Sequence, residues 1–424
     1  MSTSASPTAG TAGPIDPAAI PIERLDPSES RWYANDSIGA VFARLRREDP
    51  LHWNADSLNG PYWSVTTFED IKFVDTHHDL FSSEIGGITI ADPDAEPEVK
   101  LDNFIAMDPP RHDAQRKTVA PSVSPRNLAN MEPLIRERAA DILDHLPVGE
   151  TFNWVDRVSV ELTARMLATL FDFPFEDRRK LIHWSDITTA SPQLMGEEGL
   201  SIDYRAQEMG ACASAFRDLW IERAAQPPRD DLISMLAHGE STRDMMDRPS
   251  EFIGNILLLI VGGNDTTRNS ISGGVVALNR YPEQYDRLRA DPSVIPNMVA
   301  EMVRWQTPVI HMRRTATEDV VLRGKTIRKN DKVVMWYLSG NRDEDVFDDA
   351  ERLVVDRPNA RSHVAFGYGL HRCMGNRLAE MQLRVLWEEI MERFERVEVV
   401  GEALRTPNNF IRGINDLPVR LHPR

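Results

Sequence analysis

Phe366-Gly367-Tyr368-Gly369-Leu370-His371-Arg372-Cys373-Met374-Gly375 is the stretch whose residue types and spacing say most about chemistry. Glycines at 367, 369 and 375 allow a tight backbone path and the close approach of a large flat group. Cys373 stands just before an amphipathic pattern, hence near a helix N-terminus, which favours negative charge and so the thiolate. A thiolate held in a stiff loop is a good axial ligand for a haem iron. The plain alternative is a buried, inert cysteine in a turn. The other cysteine, Cys212, lies in a helical pattern and reads as a small core residue.

Gly262-Gly263-Asn264-Asp265-Thr266-Thr267 lies midway along a long helical pattern. Two adjacent glycines cost about 1 kcal/mol each relative to alanine. Such a weak point suggests a local opening of the hydrogen-bond ladder, which threonine hydroxyls would promote. A groove there would hold dioxygen or water, with Asp265 supplying protons and Thr266 relaying them. The alternative is a packing notch where another helix crosses. Glu301 and Arg304, three apart on one helix, can pair, either buried or as a solvated ion pair. His112 and Arg116, four apart after Asp108-Pro109-Pro110, share a helix face, either as an exposed basic patch or as an anion site.

Phe366, Gly369, His371, Cys373 and Gly375 resemble the haem-binding signature of the cytochrome P-450 superfamily. The resemblance extends over residues 60–420. It implies a mainly α cytochrome P-450 fold with a small β region: a single large domain whose long central helix crosses over heme b (iron protoporphyrin IX). It implies Cys373 as the iron ligand, and His371, His112, Arg116 and Arg314 as contacts of the haem propionates. It also implies Asp265 and Thr266 as the acid–alcohol pair that delivers protons to dioxygen. Glu301, Arg304 and Arg357 are then a buried structural network.

More finely, Val261 to Gly274, Glu301 to Arg314 and Phe366 to Gly375 resemble the soluble bacterial branch that hydroxylates terminal carbons of alkanes. The expected pocket lining is Ile90, Phe104, Leu194, Met195, Leu258, Gly262, Val309, Ile310 and Phe410. It is apolar, which suits a medium-chain alkane or alicyclic hydrocarbon. Each of these side chains, taken alone, reads as core. Arg412, two residues past Phe410, is the cation placed to anchor a carboxylate instead. The alternatives are a terminal hydroxylase of fatty acids or sterol side chains, a peroxygenase using hydrogen peroxide, and a haem sensor or carrier without turnover. The acid–alcohol pair argues against the last two.

Helical patterns must position these residues. They cover about 37–47, 67–75, 113–121, 125–145, 156–171, 175–190, 201–226, 230–238, 250–278, 282–290, 292–306 and 375–394. Strand-like pieces fall at 62–65, within 308–337 and in the C-terminal tail. Residues 82–107 read as a long functional loop. Met1 to Pro21 reads as a disordered tail without a secretory signal, ahead of one haem domain over 22–424.

Lys and Arg total 49 against 66 Asp and Glu, a net charge of −17, which argues against nucleic acid as a main partner. Two cysteines cannot make a four-cysteine cluster. The longest apolar run, Ile256 to Val261, is far short of the about 20 residues of a membrane span, so no membrane anchor and a cytoplasmic location are expected. No dinucleotide fingerprint follows a strand. Electrons are therefore expected from a separate ferredoxin and ferredoxin reductase, docking on the Cys373 side near Arg372, Arg111 and Lys117.

Overall fold

Pro249 opens the longest helix, because its fixed φ suits the first helical position and its missing N–H costs nothing there. The chain then runs helical for 32 residues to Arg280. Ile256, Leu257, Asp265, Asn269 and Ala277 are buried on different sides, as in a helix surrounded by protein. The computed structural model describes residues 16–91, 101–190 and 201–424. In it, helices Glu161–Phe171, Arg178–Thr189, Ile202–Ala224, Ile295–Gln306 and Asn376–Arg393 pack against this central helix. Several of the other helices begin where a side chain caps them. Ser124 accepts from the Asn127 amide, Ser201 from Tyr204, and Asp231 from Ser234.

Most expected helices appear within a few residues of their anticipated ends. The expected helix at 156–171 instead begins as a π-helical segment, Val155–Val160, before turning α at Glu161. Six residues of the expected tail, 16–21, are described. Residues 1–15 lie outside the described residues, but Pro17–Ala19 and Ile22–Arg24 form 3-10 turns. Asp16 caps the first, and the Arg44 guanidinium donates to the Pro17 carbonyl at 2.7 Å, so local polar contacts order a segment of low sequence complexity.

Five strands form the main sheet in the order Leu51–Asn54, Tyr62–Val65, Lys332–Trp336, His311–Ala316 and Phe81–Ser82. Only the second and third run parallel. Register pairs Arg313 with Val334 and Arg314 with Val333, so the two arginines emerge on opposite faces. A bridge between Val309 and Ile411 lays the C-terminal turn against the chain entering this sheet. One apolar cluster surrounds the central helix, a second lies under the sheet, and a third seals the N-terminal segment through Trp32, Phe42 and Trp336. Among the described residues no helix is long and apolar enough to cross a membrane.

Candidate active site

Cys373 sits in the loop that ends at helix Asn376–Arg393, and its amide donates to the Phe366 carbonyl at 2.8 Å. Burial is the largest influence on its thiol and pushes it up. The Gly375 and Asn376 amides and the nearby Arg116 and Arg372 pull the other way, toward thiolate. Cys373 is nevertheless exposed, unlike the other cysteine. Cys212 has no exposed surface and a thiol pushed up by burial, which makes it inert.

The loop is shaped by Gly367 and Gly369, at φ +69° and +63°. A Cβ on Gly369 would lie 2.6 Å from the Asp75 carbonyl oxygen. Asp75, near the end of helix Phe68–Thr76, also clamps the loop with its buried carboxylate. It accepts from the Tyr368 amide at 2.7 Å, the Tyr337 hydroxyl at 2.9 Å and the Arg314 guanidinium at 2.8 Å. Burial pushes this carboxyl up, with Arg314 as the main opposing influence. Sequence reasoning missed Asp75. The available signal was a charged residue on the apolar face of a short helix, and its partners lie more than 200 residues away.

His112 and His371 meet with ring centroids 4.3 Å apart. Nδ1 of His112 bonds Asp113 at 2.8 Å, and Nε2 of His371 bonds Ser83 at 3.0 Å. The other nitrogen of each ring, His112 Nε2 and His371 Nδ1, is buried without a partner. Burial pushes both imidazoles down, so each is neutral with one ring N–H. Arg314 is near enough to His371 to depress it further. The Arg116 guanidinium donates to the Arg372 carbonyl at 2.6 Å and lies close to Cys373. Two orphaned ring nitrogens, two guanidinium groups and a thiol from one loop, one helix and one strand fit the donor set that heme b requires.

The central helix crosses this region unbroken, so the expected opening of its ladder is absent. The Thr266 hydroxyl donates to the Gly262 carbonyl at 2.9 Å, bonding within the helix without interrupting it. The two glycines differ. A Cβ on Gly263 would meet Leu167 at 2.7 Å, which makes it a packing notch. Gly262 is exposed, and a Cβ there would meet nothing within 4 Å. Its helical neighbours Ile260 and Asn264 have no exposed surface, so Gly262 presents room on one face only.

Asp265 is wholly buried and linked to helix Arg178–Thr189. Its Oδ2 accepts from Ser185 at 3.1 Å and Thr189 at 3.2 Å. Its Oδ1 pairs at 2.7 Å with Arg268, which also holds Asp186 at 2.6 Å. Burial pushes the Asp265 carboxyl up against the pull of Arg268. The partners found for Asp265 and Thr266 are thus different, although the two are adjacent in sequence.

Glu301 and Arg304 form a bidentate pair with both distances 2.7 Å and no exposed side-chain surface. Arg357 adds a 3.0 Å bond to Glu301. Of the expected lining, Leu258, Val309 and Phe410 are half-buried. Phe104 is mostly buried, its ring 6.4 Å from that of His112. Ile310 is a correction: it has no exposed surface and packs with Trp336 and Leu338. It directly follows Val309 in extended chain, so it turns to the opposite face. Ile90 joins the same cluster and is likewise core. Leu194 and Met195 lie outside the described residues. Arg412 is committed elsewhere: it donates to the Trp305 and Gln306 carbonyls at 3.0 and 3.1 Å and pairs with Asp36 at 2.8 Å.

A family model described as Cytochrome P450 matches residues 204–414. Linalool 8-monooxygenase of Pseudomonas putida is 39% identical over 418 residues, covering 95% of this chain and 100% of its own. Methyl-branched lipid omega-hydroxylase of Mycobacterium tuberculosis is 33% identical over 417 residues, with 95% and 96% covered. Among solved structures, cytochrome P450-153 from Novosphingobium aromaticivorans aligns with a TM-score of 0.87 at 46% identity, covering 94% of this chain and 100% of that one.

Proposed function

Because this chain belongs to the cytochrome P450 family and is a heme b monooxygenase, we propose that it hydroxylates a medium-chain alkane or alicyclic hydrocarbon at a chain end or unhindered carbon. Bound heme b supplies the activation of dioxygen that lets one oxygen atom enter a C–H bond. The rest falls to the chain. Cys373 holds the iron as thiolate, stabilised by the Gly375 and Asn376 amides and by Arg116. His112, Arg116, Arg314 and His371 hold the propionates. Thr266 keeps its hydroxyl beside the room at Gly262 and passes a proton from its Oγ1. Asp265 holds its proton-exchanging carboxyl against Ser185 and Thr189, and must loosen from them to supply Thr266.

One observation carries the substrate class: the accessible face at Gly262 is flanked by Leu258, and the nearest cation expected there, Arg412, is tied to Asp36 and two carbonyls. Alkyl burial is worth about 0.8 kcal/mol per methylene, whereas an unpartnered carboxylate entering such a site costs several kcal/mol. The names of two relatives, a linalool 8-monooxygenase and a lipid omega-hydroxylase, support oxidation of largely apolar carbon chains. Electrons come from a separate ferredoxin and its reductase, which dock over the exposed Arg372, Arg111 and Lys117. Paired titrations of octane and octanoate, read by the haem spin-state change, test the substrate class. Octane binds more tightly on this reading, and Arg412→Ala leaves the ranking unchanged. Tighter octanoate binding that disappears in Arg412→Ala would replace the hydrocarbon by a fatty acid.

A further inference from the structure

A cavity of about 220 Å³ lies where the C-terminal end of the central helix meets the end of helix Ile295–Gln306. Arg280, Arg342, Arg412, Asp36, Trp305 and Glu351 help to line it, and Arg405 stands behind Asp36. Asp36 serves three guanidinium groups: Arg412 at 2.8 Å, Arg405 at 3.1 Å and Arg280 at 3.7 Å. Glu351 meets Arg342 at 3.3 Å, but its side chain is 57% exposed, so water screens its charge. Four guanidinium groups thus face two carboxylates, one of them largely solvated, in a chain whose net charge is −17.

Carbonyls do not close the gap. Arg412 donates to Trp305 and Gln306, and Arg342 also reaches Trp305, at the C-terminal end of helix Ile295–Gln306. A helix end carries only about half a negative charge. The side chain of Arg405 is 8% exposed and its Nη1 is buried without a partner. Burial is the largest influence lowering Arg342 to about 9 and Arg405 to about 10, and neighbouring arginines add to it in both.

We propose that this cavity is a binding site for a small oxyanion, separate from the haem site. Arg280 supplies the open guanidinium edge, and Arg342, whose Nη atoms donate to the Arg304 and Trp305 carbonyls, adds its Nε when Glu351 leaves it; such planar donors match tetrahedral or carboxylate oxygens. Glu351, being largely exposed, swings out as the anion arrives. The haem-loaded full chain should bind inorganic phosphate saturably in calorimetric titration at constant ionic strength set with chloride. Arg280 is 58% exposed and Glu351 57%, so substitutions at either leave the core intact. Arg280→Gln should weaken phosphate binding about tenfold, and Glu351→Gln should tighten it by removing the competing charge. Absence of saturable binding in the wild type, an affinity that Arg280→Gln leaves unchanged, or one that Glu351→Gln fails to raise overturns the assignment.

Discussion

A buried thiol resists ionisation, so a cysteine that is to work as thiolate needs donors and cations around it. Cys373 has two backbone amides and two arginines nearby, and Cys212 has none of these among its influences. Cys373→Ser should therefore abolish the red-shifted Soret band of the reduced carbon monoxide complex, while Cys212→Ser keeps it. Thr266→Ala should still bind substrate but divert reducing equivalents into peroxide or water. Product formed per NADH measures this, and an unchanged ratio would remove Thr266 from proton delivery. The Cys373 loop was legible because its chemistry is local, ten consecutive residues with their turns. Asp75 was not, because a buried carboxylate acquires its meaning from Arg314, Tyr337 and Tyr368, which only the fold brings to it.

Helices carry the constraints that these residues obey. Glu301, Arg304 and Arg357 tie helix Ile295–Gln306 to the irregular chain before the cysteine loop, and none of them reaches water to any extent. Glu301→Gln leaves two buried guanidinium groups short of their counter-charge. It should cost about 3–5 kcal/mol of stability, seen as a lower denaturant midpoint together with loss of haem. The spacing of Glu301 and Arg304 made this pair readable, and burial decided between the two meanings. The glycine pair was read only halfway. Composition cannot tell that Gly263 yields to Leu167 while Gly262 leaves room, nor that Thr266 bonds within an intact ladder. Helix boundaries were legible where Ser124, Ser201, Asp231 or Pro249 marks them, and the π-helical start at Val155 carries no such mark.

At the scale of the molecule, buried histidines set an acid limit. His311 donates from Nδ1 to the Asn409 carbonyl and accepts the Ile90 amide at Nε2, so it is held neutral, and burial lowers it to about 4. His363 is lowered to about 3 for the same reason. Below about pH 6.5 the unfolded chain takes up protons that the folded chain refuses. The stability these residues contribute is complete above that pH and is lost as pH falls toward 4 for His311 and 3 for His363, by at most about 3 kcal/mol for the first and about 5 kcal/mol for the second. Asp75 and Asp265, with carboxyls pushed up by burial, act in the opposite sense above the ordinary carboxylate range. Chemical unfolding of wild type and His311→Gln across this range isolates the histidine: the variant should show the shallower loss, and equal slopes would contradict its neutral burial. The alignment of whole chains supports a monooxygenase of this family, and the apolar face at Gly262 supports the hydrocarbon. The regiochemistry of octane oxidation joins the two most directly. With dioxygen, NADH and a ferredoxin–reductase pair, octan-1-ol should be the main product, formed in proportion to NADH consumed. Internal octanols as main products, or turnover of octanoate with none of octane, would contradict it.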